Sequence, residues 1–155
     1  GFIGSPAMNF VDAKVSMIDG TAVIEAPGMK LGFSPARSQH LKPYDGRTII
    51  FGVRPEDIHD RALSIVPATE ANTARLSVDV IEPMGDRCLL YAHAGDATLV
   101  ASISADTSAR ELADLDVVID MEKTHAFDPQ SGERIFPGST GAKAASSAEP
   151  AEALA

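Results

Sequence analysis

Over most of the chain apolar and polar positions alternate with a period near two, the spacing of half-buried strands rather than helices. Residues 10–18 set Val11, Ala13 and Val15 on one side and Asp12 and Lys14 on the other. Asp19-Gly20 follows, a dipeptide suited to a tight hairpin, and residues 21–24 form the return strand. Ala26-Pro27-Gly28 makes the next turn, and residues 29–33 are too short and glycine-broken for a helix. Residues 34–43 predict one or two helical turns, stopped by Pro43. After the Asp45-Gly46 turn, residues 47–53 predict a strand rich in β-branched residues. Arg54-Pro55-Glu56 closes it, because proline cannot donate a strand hydrogen bond.

The second half repeats the style. Residues 75–81 alternate Leu76, Val78 and Val80 against Ser77 and Asp79, and Pro83 and Gly85 read as an edge break or bulge. Residues 87–94 and 97–103 flank Gly95-Asp96 as a hairpin. Residues 108–115 predict a short helix, with Ser108 as its cap and Glu111 three positions on. A further strand is expected over residues 117–121, and a last short one at Ile135 after the Ser131-Gly132 turn. From Pro137 the composition changes, with seven alanines in the last 14 residues and Leu154 the one large apolar side chain. Such a segment has little to bury against the entropy of ordering it. The expected organisation is a folded body over residues 1–136 and an Ala/Ser-rich tail over 137–155. Many short strands between frequent turns predict an all-β fold, small β-barrels or a sandwich with one or two short helices.

Composition narrows the function classes. The 155 residues suffice for one domain or two very small ones. Thirteen Lys and Arg against 22 Asp and Glu give a net charge of −9, the wrong sign for tracking phosphates. Aromatics are 5% of the chain, too few for a base-stacking surface. No apolar run reaches the ~20 residues needed to span a bilayer, and no signal peptide opens the chain. The single cysteine, Cys88, has no partner within the chain, which fits a reducing compartment.

Catalytic patterns are absent. A phosphate-cradling loop needs Gly-x4-Gly-Lys-Ser/Thr, and the sequence contains no Gly-Lys dipeptide. Neither a GxGxxG fingerprint nor a GxSxG elbow occurs. His40, His59, His93 and His125 are scattered, and Asp57-Ile58-His59-Asp60 reads as a solvated turn. Cys88 sits in an apolar run and reads as a buried thiol. Residues 106–122 carry six carboxylates against Arg110 alone, a solvated face or a docking surface for a basic partner. No residue is assigned a catalytic, cofactor-binding or metal-ligating role.

Four motifs, in order, point to a family. Phe2-Ile3-Gly4-Ser5-Pro6-Ala7-Met8-Asn9-Phe10 resembles the segment after the nucleotide-binding domain in ATPase subunits of carbohydrate ABC importers of the maltose-importer type. Gly52-Val53-Arg54-Pro55-Glu56 is similar to that family's Gly-x-Arg-Pro-Glu signature. Val80-Ile81-Glu82-Pro83-Met84-Gly85 resembles its next motif, with Met84 where leucine is usual. His125-Ala126-Phe127-Asp128 and Ser131-Gly132-Glu133-Arg134-Ile135 resemble its closing pair, with Ser131 in place of threonine.

The resemblance implies the C-terminal regulatory domain of such a subunit, built from OB-like β-barrels, without the ATPase half. It further implies a non-catalytic role in regulation and dimerisation. ATP and Mg would then bind a separate domain of the parent protein. Implied partners are a second copy, that ATPase domain, the importer's membrane subunits and a cytoplasmic regulatory protein, and nucleic acid is not among them. The implied location is the cytoplasmic face of a bacterial plasma membrane. Ser5, Pro6, Asn9, Arg54, Pro55, Glu56, Glu82, Gly85, Phe127 and Asp128 are then structural or interface residues. Locally, Pro6 and Asn9 shape the entry to the first strand, Arg54 and Glu56 form an ion pair, Gly85 serves a bulge and Phe127 anchors the core. The alternative is a β-barrel that senses a small ligand, a sugar or an oxyanion.

Overall fold

The computed structural model of the chain describes residues 6–138. Among these, ten strands form two five-stranded antiparallel sheets. The first comprises β1 (Asn9–Ile18), β2 (Thr21–Ala26), β3 (Met29–Gly32), β4 (Thr48–Val53) and β10 (His125–Phe127), in the order β10-β4-β1-β2-β3. The second comprises β5 (Ile58–Asp60), β6 (Thr73–Met84), β7 (Arg87–Ala94), β8 (Ala97–Ser104) and β9 (Ala113–Ile119), in the order β5-β9-β6-β7-β8. The one α-helix among the described residues, α1 (Pro35–Ser38), is capped by the Ser34 hydroxyl and runs into a 3₁₀ turn at Gln39–Tyr44. The all-β architecture follows the period-two pattern. No helix among the described residues is long and apolar enough to cross a membrane.

Alternation explains the core. Val11, Ala13 and Val15 of β1 and Ile49, Phe51 and Val53 of β4 turn one face of the first sheet inward. Leu76 and Val78 of β6, Leu90 and Ala92 of β7, and Leu99, Ala101 and Ile103 of β8 do so from the second. These side chains belong to one contiguous apolar cluster, so the two sheets share a core. The chain leaves the first sheet after β4, builds the second, and returns to add β10 beside β4.

Several local expectations are corrected. Residues 108–115 form no helix. The Leu112 N–H donates to Val78 O at 2.8 Å, Leu112 turns left-handed at φ 62°, and the chain enters β9 alongside β6. Glu111 does not cap a helix but accepts the Ile81 N–H at 2.9 Å, where β6 has run past the end of β9. That free side also explains Pro83, which pairs with Cys88 on β7 and interrupts nothing. The irregularity of β6 lies earlier, between Val78 and Val80. Gly85 serves a turn rather than a bulge. Its φ of 76° opens the two-residue Gly85-Asp86 loop, which closes on the Met84–Arg87 pair.

The Asp57–Asp60 stretch is no solvated turn. Pro55–Asp57 is a 3₁₀ turn leading into β5, and Asp57 and Asp60 are buried. Asp60 accepts the Ala62 N–H at 3.0 Å and the Thr107 hydroxyl at 2.6 Å. Burial, then Glu56, pushes the Asp57 carboxyl above its ordinary value. Ile135 starts no strand. An isolated bridge joins Phe127 to Arg134, and the closing strand is β10. Phe136 is buried, and residues 139–155, most of the expected tail, lie outside the described residues, as does Ser5.

Candidate functional site

Three of the four motifs meet on adjacent strands. β4 lies between β1 and β10, with Phe10 opposite Gly52 on one side and His125 opposite Gly52 on the other. A Cβ on Gly52 would lie 2.7 Å from Met8 Sδ and 3.1 Å from Phe127 Cε2. Only glycine leaves that space, which is why Phe127 can settle over β4, 3% exposed. The Phe127 ring meets Phe10 edge-on at 5.9 Å and stacks with His125 at 6.2 Å. The third motif stands apart, in the second sheet at the β6–β7 hairpin, where exposed Glu82 accepts the Tyr91 hydroxyl at 3.0 Å.

Asn9 joins the sheets. Its side-chain amide donates to Val53 O at 3.0 Å and to Val100 O at 2.9 Å, and its carbonyl accepts the Val100 N–H at 2.8 Å. The side chain thus pairs with edge strand β8 as another strand's backbone would, across 91 positions of sequence. Beside this pairing runs a groove of about 450 Å³, lined from one side by Pro6, Met8 and Asn9 and from the other by Asp79, Tyr91 and Thr98.

At the far end of the closing motif, Asp128 gathers a loop. It accepts N–H groups from Gln130 and Ser131 and the Tyr44 hydroxyl at 2.7 Å. The Ser131 N–H, the Tyr44 hydroxyl and the Gln130 N–H hold its carboxyl down at about 2. Pro55 is buried, while Arg54 and Glu56 are exposed and, among the described residues, share no ion pair. The expected Arg54–Glu56 bridge is therefore absent, because the 3₁₀ turn leaves both side chains in water.

His125 carries the largest electrostatic signal. Its Nδ1 lies 2.6 Å from a guanidinium nitrogen of Arg134, a geometry that needs an unprotonated ring nitrogen as acceptor. Burial, then Arg134, Arg54 and Arg37, lowers its pKa from 6.5 to about 4. The unfolded chain therefore takes up this proton at a higher pH than the folded one. Stability from the neutral ring is complete above pH 6.5 and is lost as pH falls towards 4. Partial exposure limits the effect to about 1–2 kcal/mol. Urea unfolding at successive pH values should show this decline, and His125→Gln should flatten it. A wild-type profile level from pH 7 to 4.5 would contradict the assignment. The contribution of Asp128 is separable, being present above its unfolded value of 3.8 and lost towards pH 2.

The other candidates have structural surroundings. Burial pushes the Cys88 thiol up, away from nucleophilic reactivity. His93 pairs with Asp79 at 2.9 Å, and His40 meets the Phe136 ring edge-on. No group of three His, Cys, Asp or Glu among the described residues is placed to hold a metal. In the acidic stretch, Asp114 accepts the Ser77 hydroxyl and Asp116 pairs with Arg75 at 2.8 Å across the β6–β9 register. Sequence reading missed Arg37 and Phe136. The Arg37 guanidinium lies 3.9 Å over the Phe136 ring and donates to Met121 O and Thr124 O, tying α1 to the end of the fold. Nothing in their local sequence signals contacts this distant.

The family model described as the MalK OB fold domain matches residues 4–58. The chain is 38% identical over 138 residues to a trehalose/maltose import ATP-binding protein of Thermococcus litoralis, covering 88% of this chain and 36% of that protein. It is 34% identical to an oligosaccharides import ATP-binding protein of Bacillus subtilis, covering 87% of this chain and 36% of that protein. A sulfoquinovosyl glycerol transport ATP-binding protein of Agrobacterium fabrum is 32% identical, over 83% of this chain and 33% of its own length. The chain thus spans about a third of the length of these relatives. Among solved structures, the cytoplasmic molybdate-binding protein ModG superposes with a TM-score of 0.58 at 13% identity, over 82% of this chain and all of that one. That likeness is one of fold alone. Residues 4–58 match the MalK OB fold domain, and most of the chain is similar to a portion, about a third in length, of these sugar-import ATP-binding proteins.

Proposed function

We propose that the chain is a non-catalytic regulatory and dimerisation domain of the ATP-binding subunit of a carbohydrate ABC importer. The observation that carries the reading is its similarity, over 88% of its length, to a sugar-import ATP-binding protein of which it spans 36%. The motif residues support it, since Asn9, Gly52 and Phe127 are spent on joining strands and sheets. In this reading ATP and Mg bind a separate nucleotide-binding domain, and contact with the membrane subunits runs through the parent subunit at the cytoplasmic face of the membrane. A lasting contact between two copies would raise the effective concentration of the two ATPase domains and make their closure intramolecular. A docked cytoplasmic regulator would act by binding the open arrangement better than the closed one. The second reading, a small-ligand sensor, draws on the fold shared with a molybdate-binding protein. An oxyanion is poorly served here, because the groove beside Asn9 is lined by Asp79 and by no Lys or Arg.

Sedimentation equilibrium tests self-association. The net charge of −9 on each copy opposes it, and salt screens that repulsion within ~10 Å at 0.1 M. An interface made by this portion alone should be weak. The expected result is a monomer–dimer equilibrium that shifts towards dimer with concentration and moderate salt. A strict monomer at about 1 mM protein and ~0.3 M salt would remove dimerisation from this chain.

A further inference from the structure

The groove beside Asn9 is formed where the two sheets meet. One wall is the entry to β1, with Pro6, Met8 and Asn9, and the other is the β7–β8 face with Tyr91, Thr98 and Leu99. Its volume, about 450 Å³, falls within the roughly 300–1,000 Å³ of small-molecule sites. The break in register between Val78 and Val80 leaves Asp79 without a partner on β7 and places it on this groove. A bulge re-aims a side chain in just this way.

The polar groups there have spare capacity. One Asp79 oxygen is engaged by His93 at 2.9 Å, and the other has no hydrogen bond among the described residues. The Tyr91 hydroxyl donates to Glu82, which leaves its oxygen free to accept. Val100 directs its N–H and C=O away from β7, towards Asn9, so Thr98, two positions back on the same edge, directs its own the same way. Asn9 satisfies the Val100 groups, whereas no backbone partner meets those of Thr98 among the described residues. Apolar surface comes from Met8 and the Tyr91 ring.

We infer that this groove binds a neutral carbohydrate, a hexopyranoside or short oligosaccharide. An oxyanion would meet the Asp79 carboxylate with no cation to offset it, and a purely apolar ligand would strand that carboxylate without water. A pyranoside has the complementary chemistry. Its hydroxyls donate to Asp79, the Tyr91 oxygen and the Thr98 carbonyl, one accepts from the Thr98 N–H, and its C–H face packs on the Tyr91 ring. The inference stands apart from the dimerisation reading, since a strictly monomeric chain keeps the groove and a dimer without sugar binding keeps its interface.

The test is an ¹H–¹⁵N NMR titration of the 155-residue chain with maltose, methyl α-glucoside and molybdate. Maltose or methyl α-glucoside should give saturable shifts at the amides of Asp79, Tyr91, Thr98 and Val100. A dissociation constant on the order of 1 mM is expected for so few ligand atoms in an open site. Molybdate should give none there. Asp79→Asn and Tyr91→Ala should each weaken binding about tenfold, with Asp116→Asn as the unchanged control. Asp79 and Tyr91 are both exposed, so the two variants should keep wild-type melting, and either one decides the matter if the other does not fold. The inference is overturned by absence of saturation at about 50 mM of either sugar. Saturation of the same amides by molybdate, or sugar binding undiminished in a folded variant, would overturn it equally.

Discussion

Replacing Phe127 by alanine should lower the unfolding free energy by about 3–5 kcal/mol, the range for emptying a buried aromatic site. The ring is 3% exposed and is held between Phe10, His125 and the bare backbone of Gly52. Its strand, β10, is only three residues long and pairs with β4 alone among the strands. Hydrogen bonds this few do not hold β10 against the entropy of releasing it, so the ring must. The loss should therefore reach beyond one cavity. Ile135, whose N–H donates to Ala126 O at 2.8 Å, should lose hydrogen-exchange protection along with β10. For a chain of this size the melting temperature should fall roughly 10–20 °C. Phe127→Leu keeps most of the volume and should cost about 1–2 kcal/mol. A loss below ~1 kcal/mol for the alanine variant would show that β10 is anchored by something else.

Asn9→Ala should cost about 2–4 kcal/mol, although it removes only a small polar side chain. The Val53 carbonyl and both backbone groups of Val100 would lose their partner at once, at the seam between the sheets. Asn9→Asp is the sharper probe. A carboxylate could still accept from Val100 N–H, but it would face the Val53 and Val100 carbonyl oxygens with no hydrogen to offer. Protonation restores a donor, so this variant should be most unstable at neutral pH and recover part of its stability in mild acid. That slope is opposite to the one expected of His125, which makes the two contributions separable by unfolding across pH. Equal stability of Asn9→Asp and wild type at pH 7 would refute the strand-like role of the amide.

The two side chains with the largest expected effects, Phe127 and Asn9, both lie in motifs that the sequence singled out. Most of their partners lie in other motifs far along the chain, and Val100 lies in none. Phe127 reaches Phe10, and Asn9 reaches Val100, 91 positions away. The resemblance marked these positions without saying what they touch, because a motif is a local string and a packing contact is not. Arg37 and Phe136 carried no local mark, and their contact appears only when the end of the chain returns to α1.

What the sequence determined by itself was whatever is encoded between near neighbours. Alternation placed β1 and most of β6, because residues two apart on a strand share a face whatever lies opposite, and β-branched content placed β4. Turn dipeptides such as Asp19-Gly20 and Gly95-Asp96 placed the hairpins for the same reason, and four ordered motifs pointed to the family whose model matches residues 4–58. The tertiary structure decided everything that depends on a partner strand. Ser108 and Glu111 have the spacing of a helix cap, yet the backbone of β6, some 30 positions earlier, offers Val78 O to Leu112 and draws Glu111 to the Ile81 N–H. Those bonds extend a sheet already in place, whereas a helix over so few residues would have to overcome its own nucleation cost. Asp57 and Asp60 read as solvated because they are charged, and they are buried because β5 is pinned to β9. Asn9 and Gly52 are settled in the same way, by two sheets closing on one core, which no local pattern records.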